Sequence, residues 1–163
     1  MNLTKIPPQI PVIIGIDPDS SKHGVAIYIG EKLESLHNWQ ALDLFFYLFE
    51  TLDGIHHFEI HIEDVCAINA TFSKSFVKNV RSQTTISRSI GMCQQAQVEI
   101  ERVAEHFKVK VVKHPINKSW KDSKVGNKIL KQLGWSGKSN EDTRSAAYFG
   151  YVGVKQWHSI NRK

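Results

Sequence analysis

Cysteine is nearly absent from this chain. Cys66 and Cys93 are the only two in 163 residues, too few for a disulfide framework or a closed zinc site. They predict a reducing, cytoplasmic or nucleoid-associated setting, and each reads as a small buried hydrophobe rather than a nucleophile. Long apolar runs are missing too. No stretch approaches the roughly twenty residues of a bilayer span, and Met1 to Pro8 carries no apolar leader, so no membrane partner is expected. Proline is scarce, and three of the five (Pro7, Pro8 and Pro11) fall at the start. Residues 1–10 accordingly read as a flexible arm ahead of one domain over residues 11–160. Repeats, low-complexity tracts and linkers are absent, as suits a chain long enough for one core.

The scarcity that bears most on function is local. From Ala67 to Ile90 there is no acid beside Lys74, Lys78, Arg81 and Arg88, and from Lys108 to Lys138 one acid, Asp122, stands against nine lysines. With a net charge of +5 overall, the rest of the chain is acidic. Segregation on this scale favours a polyanion, nucleic acid above all, over a generally solvated surface.

Periodicity supplies the elements. Val12 to Asp17 is a β-branched run ending in a carboxylate, and Gly24 to Gly30 returns beside it after a Pro-Asp-Ser turn. Gly24 is read as permitting a sharp bend or a close approach. Leu33 to Trp39 alternates weakly. Ala41 to Leu52 carries Leu42, Phe45, Phe46, Phe49 and Leu52 at helical spacing and stops at Asp53-Gly54. His56 to Val65 has strand alternation. A basic, polar segment from Ala67 to Ser82 is long enough to be functional. A helix from Thr84 to Phe107 follows, with an apolar stripe of Ile86, Ile90, Cys93, Ala96, Ile100, Val103 and Phe107. A strand from Lys108 to Lys113, a helix from Asp122 to Leu133 and a last helix from Ser139 to about Trp157 complete the chain. The order predicts an α/β domain with a mixed five-stranded sheet, three antiparallel strands and then parallel ones, and helices on both faces.

Three acids fall at element ends. Asp17 closes the first strand, Glu63 lies near the end of the fourth, and Asp142 opens the last helix. If the first and fourth strands are neighbours, the three meet at one sheet edge. Carboxylates gathered there repel unless Mg²⁺ or Mn²⁺ neutralises them, and hard oxygen donors suit those ions. Two ions about 4 Å apart activate water and stabilise the leaving oxygen in phosphodiester hydrolysis. Each acid also has an ordinary explanation, turn capping for Asp17, the end of an exposed strand for Glu63 and helix N-terminal charge for Asp142 with Glu141, Ser139 to Asp142 resembling a capping box. Their shared placement beside basic segments favours the metal reading. Lys74, Lys78, Arg81 and Arg88 are then candidates to hold DNA phosphates near the cut. Lys118, Lys121 and Lys124 also bind DNA in this reading, and one of them touches the scissile phosphate. A zinc site around His57 and His61 is not expected.

These motifs resemble the RuvC-type Holliday-junction resolvases of the ribonuclease-H-like superfamily. Ile14-Gly15-Ile16-Asp17-Pro18 with Gly24-Val25-Ala26 is similar to their opening strand-turn-strand. Ile62-Glu63-Asp64-Val65 resembles the glutamate-bearing strand, and Asp142-Thr143-Arg144-Ser145-Ala146-Ala147 the acidic C-terminal helix. The resemblance spans nearly the whole chain. It implies a homodimeric nuclease that nicks four-way DNA junctions symmetrically, with Asp17, Glu63 and Asp142 as metal ligands. Three positions depart from the pattern. Ser145 stands where a further aspartate is usual, leaving Glu141, or Ser145 through water, as candidates for the fourth ligand. Asp19 replaces a common glycine. Cys66 replaces an aromatic, so Phe72 or Phe76 becomes the candidate wedge that unstacks a base at the junction. Three other readings stay open: a nuclease for forks, flaps or RNA–DNA hybrids, a catalytically weakened junction-binding protein, and an actin- or sugar-kinase-like ATPase, for which the chain is short.

Overall fold

The computed structural model describes residues 10–52, 57–67 and 80–161, the side chains of residues 80–83 excepted. The expected arm (except Ile10), the Asp53-Gly54 stop, Lys74, Lys78, Phe72, Phe76 and the Arg81 side chain therefore lie outside the described residues. Five strands form one sheet: β1 (Val12–Asp17), β2 (His23–Ile29), β3 (Lys32–Trp39), β4 (Phe58–Glu63) and β5 (Lys110–His114). Their spatial order is β3-β2-β1-β4-β5. The first three are antiparallel, and β4 and β5 run parallel to β1. This is the mixed five-stranded sheet expected from the element order.

Among the described residues, four helices cover the two faces. α1 (Ala41–Thr51) and α2 (Val80–His106) pack on the side presented by Val12, Ile14, Ile16, Ile60 and Ile62. α4 (Glu141–Asn161) lies on the side presented by Ile13, Ala26 and Tyr28, with α3 (Ser123–Gln132) against it. β1 is fully buried along its length, which accounts for its unbroken apolar run. Burying the apolar side chains on both faces supplies the main folding term.

Some local readings differ. α2 does not pass directly into a strand at Lys108, because Lys108 adopts φ 55° and closes the helix in a left-handed cap. Its N–H bonds to Glu105 O and that of Val109 to Ala104 O, the paired bonds of a Schellman closure. β5 therefore begins at Lys110. The cysteine expectation is corrected: Cys66 is exposed and Cys93 half-buried, since Cys66 sits in the short 3₁₀ turn past β4 and Cys93 faces a cleft. The α1 stripe is corrected too. Leu44 and Leu48 face the core, while Leu42, Phe46 and Phe49 are more than half exposed. α2 divides likewise: Ala96, Ile100 and Ala104 are core, whereas Ile86 is exposed and Ile90 and Cys93 line the cleft.

Candidate active site

Parallel pairing fixes the first two acids. Ile16 of β1 pairs with Ile62 of β4, so Asp17 and Glu63 leave the sheet side by side one step later, and both are buried. The third acid arrives because α4 lies unusually close to the sheet. A Cβ at Gly15 would stand 2.0 Å from Ala146 O, and one at Gly24 would stand 2.2 Å from Asp142 O. Gly24 therefore serves close approach, letting the first turn of α4 rest on the strand that follows Asp17. The helix start is held by Asn140 and Thr143. The Asn140 side-chain oxygen accepts from Thr143 N–H at 2.9 Å, and Asn140 N–H donates back to Thr143 Oγ1 at 2.9 Å. This box sits one residue beyond the Ser139–Asp142 pair expected for it.

Asp17, Glu63 and Asp142 line one cleft of about 260 Å³. Lys121, from the loop before α3, enters the same space, its Nζ 3.0 Å from Asp17 Oδ2 and 3.7 Å from Glu63 Oε2. Burial pushes Asp17 up to about 7, Lys121 opposing and Glu63 adding to the rise. Asp142 is also raised, by burial first and then by the charges of Asp17 and Asp19. For Lys121, burial disfavours the charge, but Asp17 and Glu63 outweigh it and raise its pKa. The cleft thus gathers more negative charge than one ammonium balances. A larger groove of about 650 Å³ lies across α2, but its lining holds one acid, Glu99, and no comparable charge cluster.

Of the three lysines offered by sequence, Lys121 is the one at the carboxylates; Lys118 and Lys124 are exposed outside the cleft. Two further residues hold groups of the site, Arg144 the Lys121 backbone and Asn117 the Glu63 carboxylate. The buried Arg144 donates through Nη2 to Lys121 O at 2.6 Å and through Nε at 3.2 Å. Asn117 N–H donates to Glu63 Oε1 at 3.1 Å, and its amide donates to Tyr148 Oη at 3.0 Å. Neither residue carries a sequence signal, because both act through backbone groups brought together by the fold. Asp64 faces α2, where its Oδ1 accepts from Gln97 Nε2 at 3.0 Å, as strand alternation requires. Ser145 is buried with an unpartnered Oγ, and Glu141 is exposed; neither lines the cleft. Arg88 borders the larger groove, and Lys124 shares an exposed face of α3 with Lys128 and Lys131.

The donor set suits a hard divalent cation. Asp17 Oδ2 is buried without a properly aligned hydrogen bond, and the Lys121 ammonium stands beside it as the local cation. As the side chains stand, no three carboxylate, imidazole or thiol groups among the described residues close on a common ion position.

Neither a protein-family model nor a curated protein matches the chain by sequence. Its structure is similar to that of Thermus thermophilus RuvC in complex with a Holliday junction substrate, with TM-score 0.55 and 13% identity over 92% of this chain and 95% of that one. A second Thermus thermophilus RuvC structure matches with TM-score 0.53 and 11% identity, covering 91% and 94%. The likeness is one of fold: the chain has the ribonuclease-H-like architecture of RuvC over nearly its full described length.

Proposed function

We propose that this protein is a metal-dependent endodeoxyribonuclease that binds four-way DNA junctions and resolves them by paired symmetric nicks. The observation that carries the proposal is the meeting of Asp17, Glu63, Asp142 and Lys121 in one cleft at the edge of a RuvC-like sheet. Asp17, Glu63 and Asp142 are the residues to hold Mg²⁺, or Mn²⁺ in its place, in one or two ions. Such ions supply Lewis-acid stabilisation of the phosphate and an activated water.

The chain's own groups do the rest. Lys121 holds the carboxylates together without metal and, once released from them, offers its ammonium to the oxygens of the scissile phosphate, where charge develops. Arg144 fixes the backbone from which Lys121 reaches, and Asn117 fixes Glu63. Lys118 and the α3 lysines, exposed outside the cleft, are the phosphate contacts for a DNA arm in this reading. A homodimer would place two such clefts about a two-fold axis, matching the symmetry of a four-way junction. Leu42, Phe46 and Phe49 on α1 with Ile86 and Met92 on α2 are exposed apolar side chains that a second copy would cover.

The test is a panel of labelled DNAs: four-way junction, fork, flap, matched duplex and RNA–DNA hybrid, each with Mg²⁺ and with chelator. The expected outcome is cleavage of the junction in Mg²⁺, with none in chelator and none by Asp17→Asn, which still binds. Junction binding without cleavage in either Mg²⁺ or Mn²⁺ would defeat the enzyme reading, and stronger cleavage of forks or flaps would change the substrate.

A further inference from the structure

The cleft holds a fourth carboxylate. Asp19, from the turn between β1 and β2, lines it together with Asp17, Glu63 and Asp142. We propose that Asp19 completes the oxygen set for the divalent cation, so that this site draws ligands from strand β1, its turn, strand β4 and helix α4. The proposal rests on the nuclease reading and specifies how this chain builds that site.

Three observations support it. First, the Asp19 carboxylate is weakly engaged. Its Oδ2 accepts from Ser21 Oγ at 3.3 Å, and Cys93 Sγ lies 3.9 Å from Oδ1. Both contacts are neutral, and no cation pairs with this acid among the described residues. Second, the turn that carries it is anchored. His23 is buried and its Nδ1 lies 3.1 Å from Asp19 O and 3.4 Å from Asp19 N, which fixes the main chain while leaving the side chain free to turn. Third, the carboxylates of the cleft outnumber its ammonium groups. Four carboxylates share the cleft with one ammonium, Lys121, and Asp17 Oδ2 is buried there without an aligned hydrogen bond. A divalent ion with hard oxygen ligands is the species that satisfies such a set. Ser145 is not in competition, because its hydroxyl is buried away from the cleft.

The ordinary role for Asp19 is turn formation, and asparagine fills that role equally well. Asp19→Asn therefore removes charge while sparing the turn. Mn²⁺ is titrated into the full-length protein by calorimetry at neutral pH, for the wild type, Asp19→Asn and Asp19→Ser, with metal-free melting curves alongside. The expected result is an Mn²⁺ affinity lowered by about tenfold or more in both variants, the range seen when a metal site loses a supporting group, at unchanged metal-free melting temperature. Wild-type affinity and stoichiometry in both variants would overturn the assignment of Asp19 alone. Absence of Mn²⁺ binding by the wild type would overturn the metal-dependent nuclease reading with it.

Discussion

Lys121 is the residue on which the site turns. Its ammonium is 3.0 Å from Asp17 and is the nearest compensation for carboxylates that burial disfavours. Lys121→Met is expected to slow junction cleavage by about a hundredfold, the scale of losing one preorganised stabilising group, with junction affinity changed little; comparison of single-turnover rates with binding titrations measures the split. Asp17 makes a complementary prediction for the metal-free protein. Its carboxyl ionises near 3.8 when unfolded but near 7 when buried. The penalty is therefore absent below about pH 4 and complete above pH 7, so stability falls as pH rises through that window. Asp17→Asn should raise the melting temperature in chelator at pH 8, by on the order of 2 kcal/mol in stability after the lost Lys121 contact is allowed for, and the gain should vanish near pH 4. Of these groups, Asp17, Glu63 and Asp142 were legible in the sequence because acids at strand and helix ends stand out against apolar runs. Asn117, Arg144 and the choice of Lys121 were not, since each depends on a backbone atom that only the tertiary fold brings near.

At the level of elements, the packing of α4 on β1 and β2 brings the third acid to the other two. Gly15 and Gly24 permit it, with no room for a Cβ at either. Gly24→Ala should force the first turn of α4 away from β2 and cost about 1–3 kcal/mol, the usual range for overpacking, together with a larger fractional loss of cleavage than of junction binding. Thermal melting and a parallel cleavage assay check both parts. Most element limits followed from periodicity, whereas the pairing of β1 with β4 was only a condition there, since nothing local to either strand names its neighbour. The exceptions have local causes. Lys108 caps α2 in a left-handed conformation usually given to glycine, so nothing in its type announced the break. α1 is apolar around much of its circumference, which hid the face that turns inward: Leu44 and Leu48, not Phe46 or Phe49.

For the whole molecule, charge and architecture converge. The lysines of α3 lie on an exposed face, beside the loop that carries Lys121 into the cleft. If they hold a DNA arm, removing Lys124 and Lys128 together should lower the salt-dependence slope of junction binding by about 2, one per phosphate contact, and leave the cut position unchanged. Binding titrations across a range of salt concentrations measure the slope. Joint action of two copies of this cleft on one junction can be read from a supercoiled plasmid that extrudes a cruciform. Paired nicks made within one complex convert it to linear product, which is expected in Mg²⁺ for the wild type and not for Asp17→Asn. Nicked circles alone, or cleavage that persists in Asp17→Asn, would contradict it.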